Sequence, residues 1–153
     1  MNDNINPKQK VAPELRSQLE KAADFHGHLG PFLVIGVRMG LIGLRKIGKY
    51  EIGQLKVEVS LPIHVPFSCI IDGIQIITHC TIGNQKLSLK DSDSVKAIFK
   101  IESKKMEMIV TISKSLLKEL KSQLLGKDIL GEKIHKLAWK VAGLSEDILF
   151  NVS

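Results

Sequence analysis

Two histidines stand two residues apart in a glycine-rich turn, and they are the first candidates for chemistry. His26 and His28 lie in the segment FHGHLGP, residues 25–31. Imidazole binds zinc, iron, copper and nickel, and glycines let a backbone fold tightly around an ion. A single histidine is more often a surface or packing residue. For two histidines in one rigid turn, a metal-binding role and a surface or packing role are about equally well supported.

A cysteine near the start of a predicted helix is the third candidate ligand. Cys69 follows Ser68, which can cap that helix, and the helix dipole there favours the thiolate and lowers the pKa of a partly exposed cysteine. The alternative is a small buried hydrophobic side chain. Continuous helix would separate Cys69 from Cys80 by ~16 Å, too far for two ligands of one zinc ion in one chain. We therefore group Cys69 with His26 and His28.

Polar residues along the same helix suggest supporting roles. Asp72 and Gln75 lie near the Cys69 face, where Asp72 could orient a ligand by a hydrogen bond or act as a general base. A solvent-facing carboxylate is the alternative. Cys80 with His79 and Gln75 forms a second candidate site, which could meet the first one only if two subunits brought opposite helix ends together.

Apolar periodicity predicts the elements that position these residues. It indicates helices over about 13–25, 31–47 and 68–79, and two more around residues 116–124 and 134–142. Strands are indicated at about 55–61, 87–89, 95–101 and 106–112, the last pair being a hairpin turned at residues 103–105. Because the strands are sequential, we expect them to be antiparallel. The fold class is therefore α+β, an antiparallel sheet of about four strands packed with N-terminal and C-terminal helices.

Three glycines share one face of the second predicted helix. Gly36, Gly40 and Gly43 recur at spacings of four and three residues, which leaves that face nearly flat. Each glycine costs a helix about 1 kcal/mol relative to alanine, so close packing should compensate. The packing element is either another helix of this chain or the same helix of a second subunit.

Length, charge and hydropathy bound the class of protein. The 153 residues suit one domain, 1–153, with residues 1–12 expected to be flexible. The formal net charge of +6 comes from dispersed lysines with no aromatic platform, which argues against nucleic acid. The longest apolar run, residues 31–44, is too short for a membrane span and includes Arg38. Residues 1–10 lack the features of a secretory signal, so we expect a cytoplasmic protein with reduced cysteines.

Two separated motifs resemble one known family. The segments FHGHLGPFLVIGVRMG, residues 25–40, and SCIIDGIQIITHCTIGN, residues 68–84, resemble the E-subunit family of formylmethanofuran dehydrogenase. Its members show an FHGH turn followed by proline, then a Cys-x-x-Asp-x-Ile-Gln helix that runs into a Thr-x-Cys-Thr turn. The resemblance covers the core domain, without the C-terminal zinc finger that many relatives carry.

This resemblance implies a function and its ligands. It implies a dimeric α+β protein that binds a metal, usually zinc, and an accessory role beside a larger oxidoreductase of one-carbon metabolism. The matching positions are His26, His28, Cys69, Asp72, Gln75 and Cys80. The alternative is a small stand-alone enzyme whose ion keeps an open position and activates water or a one-carbon substrate, with Asp72 as the base. Four protein ligands would favour the accessory role, and three plus water would favour catalysis. The remaining alternative is a metal-free module whose cysteines only pack.

Overall fold

Helices and a five-stranded sheet make up the computed structural model, which describes residues 6–125, 128 and 131–153. The α+β class expected from the sequence is confirmed. In chain order the helices are α1 Pro13–His26, α2 Pro31–Ile47, α3 Cys69–Thr78, α4 Lys114–Leu124, α5 Gly131–Ala142 and α6 Glu146–Leu149. The strands are β1 Leu55–Leu61, β2 Leu87–Asp91, β3 Lys96–Ile101, β4 Met106–Ile112 and β5 Phe150–Val152.

The sheet is mixed, which corrects the expectation of a purely antiparallel one. Its strand order is β2-β1-β3-β4-β5, and β1 pairs with β2 in parallel while the other three pairings are antiparallel. The reason is α3, which connects β1 to β2 as a crossover and so returns the chain in the same direction. The predicted β3–β4 hairpin is confirmed. The fifth strand, β5, was missed.

The sheet buries one face against the helices. On β3, Ala97, Phe99 and Ile101 are fully buried, while the alternating residues are only partly covered. The outer face carries ion pairs between neighbouring strands, such as Glu58 with Lys100. This one-sided burial is typical of an antiparallel sheet with a solvated face.

The glycine face of α2 packs within this chain. A Cβ on Gly36 would lie 2.2 Å from the carbonyl oxygen of Ile70 in α3, and one on Gly43 would lie 2.2 Å from the ring of Phe99. Gly73 of α3 faces α2 in return, because its Cβ would lie 2.5 Å from the Val37 nitrogen. Of the two packing elements left open by the sequence, the chain's own α3 therefore covers this face, together with β3. The backbones of α2 and α3 approach each other so closely that the start of α3 is fixed relative to α2.

The N-terminal segment contacts the helices. Residues Pro7–Lys10 form one 3-10 turn, Val11 is buried, and Lys8 pairs with Glu20 of α1. The flexibility expected for residues 1–12 stays a prediction, and residues 1–5 lie outside the described part of the chain. Among the described residues, no helix is long and apolar enough to cross a membrane.

Candidate metal centre

The His-Gly-His turn joins the end of α1 to the start of α2. Gly27 caps α1 in the left-handed conformation, with a φ of 109°, and its N–H donates to the Ala23 carbonyl oxygen at 2.7 Å. Apart from its two chain neighbours, no atom of the described residues lies within 4 Å of the position its Cβ would take, so glycine serves the backbone angle and not a steric need. Pro31 then begins α2, where its missing N–H has no helical partner to lose.

The start of α3 is held beside this turn by aromatic packing. Phe67, directly before α3, is buried and meets Phe32 of α2 edge to face, with ring centroids 5.2 Å apart. Together with the close approach of α2 and α3, this contact brings Cys69 to the same cavity as the two histidines. His26, His28 and Cys69 all line that cavity, whose volume is about 360 Å³. The structure thus places these three residues around one cavity, and their grouping as ligands of one ion stays a prediction.

A hydrogen bond ties His26 to α3. His26 Nδ1 lies 2.6 Å from Asp72 Oδ2, and the histidine side chain is only 12% exposed. An ionised carboxylate can only accept, so Nδ1 donates, and in a neutral imidazole the lone pair is then on Nε2. Asp72 therefore orients His26 in the way that carboxylates behind metal-binding histidines fix the direction of the ring.

Gln75 forms a second hydrogen bond to Asp72, on the carboxylate oxygen that does not contact His26. Gln75 Nε2 donates to Asp72 Oδ1 at 3.3 Å, and Gln75 Oε1 accepts from the Ile82 backbone N–H at 2.9 Å. Both carboxylate oxygens of Asp72 thus have partners. This arrangement favours an orienting role for Asp72 over that of a general base.

The free nitrogen of His26 is the feature that fits a metal. His26 Nε2 is buried and has no hydrogen-bond partner among the described residues. A buried polar atom without a partner costs free energy, and a bound cation would satisfy it. The His28 ring lies beside it, with centroids 4.9 Å apart, and Cys69 adds a sulfur, so the donor types suit zinc.

The side chains of His26, His28 and Cys69 are not arranged around a single ion position in this structure. Within the described ranges, no group of three or more His, Cys, Asp or Glu side chains is close enough together to hold an ion. His28 is exposed and Cys69 is only half-buried, so both side chains have room to turn. Binding of one ion by all three would require such turns.

The thiol of Cys69 differs from the sequence-based expectation. Burial raises its pKa, and the nearby Asp72 carboxylate raises it further, whereas the helix position predicted a lowered pKa. Loss of hydration outweighs the helix dipole at this half-buried site. Ser68 does stand before α3, but its own backbone is helical and its side chain makes no capping hydrogen bond, so that prediction is wrong.

Cys80 lies at the other end of α3 in a different environment. Its side chain is 3% exposed, Sγ donates to the Leu55 carbonyl oxygen at 3.3 Å, and burial raises the thiol pKa. His79 caps α3 in the left-handed conformation and is exposed. Gln75, the third residue of the second candidate site, is engaged with Asp72 instead. The structure thus gives each of the three a separate environment.

Sequence reasoning missed the residues that form the cavity walls. They come from α2, the loop before α3, the end of α4 and α5, and include Phe32, Leu33, Val65, Pro66, Leu124 and Ile134. Asp128 also borders the cavity. A periodic apolar pattern predicts that such residues are buried in the core. It does not predict that they line a cavity, because the cavity depends on how distant elements pack.

The comparisons with known proteins identify the family. Residues 25–151 match the sequence model of the family described as FmdE, Molybdenum formylmethanofuran dehydrogenase operon. The chain belongs to the FmdE family. The matched range includes every candidate ligand in this FmdE chain, and the resemblance drawn from the two motifs is confirmed.

One curated relative of this FmdE chain is similar over part of its length. It is a protein of Archaeoglobus fulgidus named "Probable S-adenosyl-L-methionine-binding protein", 39% identical over 90 residues. The match takes in 58% of this chain and 24% of the relative. This chain thus spans about a quarter of that protein.

Proposed function

We propose that this FmdE-family chain binds a divalent transition metal through His26, His28 and Cys69. Zinc is the metal that we favour. The observation that carries the proposal is the buried, unpartnered Nε2 atom of His26, a residue that lines a cavity shared with the other two donors. Asp72 holds His26 in the tautomer that leaves this nitrogen free, and Gln75 holds Asp72. When bound, such an ion supplies either a structural link between elements or a Lewis acid.

The role that agrees best with the family is that of an accessory subunit. In this proposal the chain forms a homodimer, docks on a larger oxidoreductase of one-carbon metabolism, and uses the ion to hold the α1–α2 turn against α3. The FmdE membership supports this role, since the family description refers to the formylmethanofuran dehydrogenase operon.

A stand-alone metal-dependent enzyme is the second candidate. The observation in its favour is the open cavity beside the donors, because catalytic zinc sites have three protein ligands and keep one position for water or substrate. X-ray absorption of the zinc-loaded protein separates the two roles. Four protein donors around the ion favour the accessory subunit, and three with one light exchangeable atom favour the enzyme.

S-adenosylmethionine is a further ligand to test, because of the name of the archaeal relative. That name describes a protein of which this chain spans about a quarter, so it does not assign the ligand to the matched segment. Calorimetric titration of the zinc-loaded and metal-free protein with S-adenosylmethionine answers the question. Binding to both forms would favour a nucleoside site independent of the ion.

Cobalt substitution tests the metal site itself. Titrating the metal-free protein with Co²⁺ should give one equivalent of binding, tetrahedral visible absorption and a sulfur-to-cobalt charge-transfer band. Cys69→Ser should lose that band, and Cys80→Ser, its matched control, should keep it. A band that survives in Cys69→Ser and disappears in Cys80→Ser would overturn the assignment.

A further inference from the structure

A second cavity lies between the N-terminal segment, α1, α2 and the turn that follows α5. Its volume is about 360 Å³, which is within the usual range for small-molecule sites. Among the described residues, none lines both this cavity and the one beside the candidate metal centre. Part of its wall is apolar and is formed by Val11, Leu15, Leu41 and Leu144.

The charged side chains that border this second cavity carry an excess of positive charge. They are Lys10, Arg38, Arg45 and Glu146. Three cations against one carboxylate leave a net charge of +2, and no other carboxylate in the described part of the chain borders the cavity. A hydrogen bond from Arg45 lowers the pKa of Glu146, and the positive charges of Arg38 and Lys46 lower it further, so this carboxylate is ionised at neutral pH.

Glu146 is already paired with one of the three cations. Arg45 donates from Nη1 and Nη2 to the two carboxylate oxygens, a bidentate contact that matches the two charges. The excess of positive charge therefore belongs to Arg38 and Lys10.

Arg38 is fixed in place and keeps part of its guanidinium available. Nη1 donates to the carbonyl oxygens of Ala142 and Leu144, each at 2.8 Å, which holds the group against the end of α5. Nε and Nη2 make no hydrogen bond to any residue that the structure describes. Burial lowers the pKa of Arg38, an effect that Glu146 opposes, because the charge has lost part of its hydration. A partly dehydrated guanidinium with free N–H groups suits an anion with several oxygens.

The charge of the cavity selects among such anions. A phosphate monoester is mostly a dianion above its second pKa of about 6, so its charge equals the excess that Arg38 and Lys10 leave. A carboxylate would neutralise only one of these two cations.

We propose that this second cavity binds a small molecule carrying a phosphate monoester, with the phosphate at Arg38 and Lys10 and an apolar body against Leu15 and Leu41. The inference goes beyond the proposed function, because it concerns other residues and does not depend on a metal.

Calorimetric titration of the whole chain with phenyl phosphate tests the proposal. The wild type should bind one equivalent. Benzoate has the same ring but a single charge and should bind at least about fivefold more weakly. Inorganic phosphate lacks the ring and should bind about tenfold more weakly than phenyl phosphate. Absence of phenyl phosphate binding, or equally tight binding of benzoate, would overturn the proposal.

Two charge variants locate the bound phosphate. Lys10→Gln removes a cation from an exposed position and should weaken phenyl phosphate binding about fivefold. Its matched control, Lys90→Gln, makes the same charge change on β2 and should bind like the wild type. Glu146→Gln removes the carboxylate and frees Arg45, so it should tighten binding severalfold, whereas Glu107→Gln, an exposed change on β4, should have no effect.

A third variant tests the guanidinium itself. Arg38→Lys keeps the charge but loses the planar arrangement of N–H donors, so it should weaken binding at least about tenfold. If loss of the contacts to α5 unfolds this variant, Lys10→Gln and Glu146→Gln still decide the question. Affinities that are the same in Lys10→Gln as in Lys90→Gln, and the same in Glu146→Gln as in Glu107→Gln, would place the phosphate elsewhere and overturn the inference while leaving the metal site standing.

Discussion

Asp72 is not a proposed ligand, but metal affinity should depend strongly on its hydrogen bond to His26. Asp72→Asn keeps the size of the side chain but removes its charge and offers an amide donor that can reverse the histidine tautomer. Loss of a carboxylate that orients a metal-binding histidine typically weakens metal binding by about 10–100-fold. Zinc affinity measured against a chromophoric chelator should fall by that factor.

The control for this variant is Asp93→Asn, an exposed carboxylate in the turn between β2 and β3. Its zinc affinity should equal that of the wild type. If Asp72→Asn and Asp93→Asn bind zinc equally well, Asp72 does not orient a ligand.

The raised pKa of Cys69 predicts how metal affinity changes with pH. A thiol whose pKa is raised is still protonated near neutral pH, so an ion must displace that proton to bind the sulfur. Apparent affinity should therefore rise about tenfold per pH unit between about pH 7.5 and 9, below the raised pKa of this thiol. Cobalt titrations at several pH values measure the slope, and Cys69→Ser should lose it. An equal slope in that variant would mean that another group releases the proton.

At the scale of residues, the sequence grouped His26, His28 and Cys69, which line one cavity, but it revealed neither the cavity walls nor the electrostatics of these side chains. The spacing of His26 and His28 and the turn-by-turn placement of Asp72 on α3 are local properties that a sequence displays. The shift of the Cys69 pKa depends on burial by distant elements, and no local pattern encodes that burial.

The close packing of α2 on α3 predicts a graded response to added methyl groups. Gly36→Ala would push a Cβ into the Ile70 carbonyl oxygen, a backbone atom that cannot rotate away. Overpacking costs about 1–3 kcal/mol or more, against a gain in helix propensity of up to about 1 kcal/mol. We expect the free energy of unfolding to fall by roughly 2 kcal/mol, measured by urea denaturation.

Two other glycines serve as comparisons for that variant. Gly40→Ala would place its Cβ 2.9 Å from Ile77 Cβ, a milder overlap than the 2.2 Å contact at Gly36, so it should cost less than Gly36→Ala. Gly83→Ala should stay within about 0.5 kcal/mol of the wild type. If Gly36→Ala is as stable as Gly83→Ala, the helices do not pack as described.

At the scale of elements, periodicity predicted most boundaries and failed where direction or length mattered. The predicted ranges 31–47 and 55–61 agree with α2 and β1 to the residue. The antiparallel pairing expected for β2 was wrong, because the α3 crossover makes β2 pair in parallel with β1, and β1 lies between β2 and β3 in the sheet. The strand β5 has three residues, Phe150–Val152, too few to show a period of two.

For the whole molecule, a bound ion should join elements far apart in sequence. The candidate ligands belong to the end of α1, the following turn and the start of α3, so zinc would crosslink segments more than 40 residues apart. At a zinc concentration of about 100 times Kd the folded state should gain about 2.7 kcal/mol, or about 5–10 °C in Tm. Thermal unfolding with zinc or with a chelator measures this shift, and His26→Ala should abolish it. An undiminished shift in His26→Ala would place the stabilising ion elsewhere.

The most direct test of the central claim is elemental analysis of untagged protein purified without added metal. The wild type should carry about one zinc or similar transition metal per chain, Cys69→Ser and His28→Ala should lose it, and Cys80→Ser should retain it. Metal that is absent from the wild type, or that remains in Cys69→Ser and His28→Ala, would contradict a metal site formed by His26, His28 and Cys69.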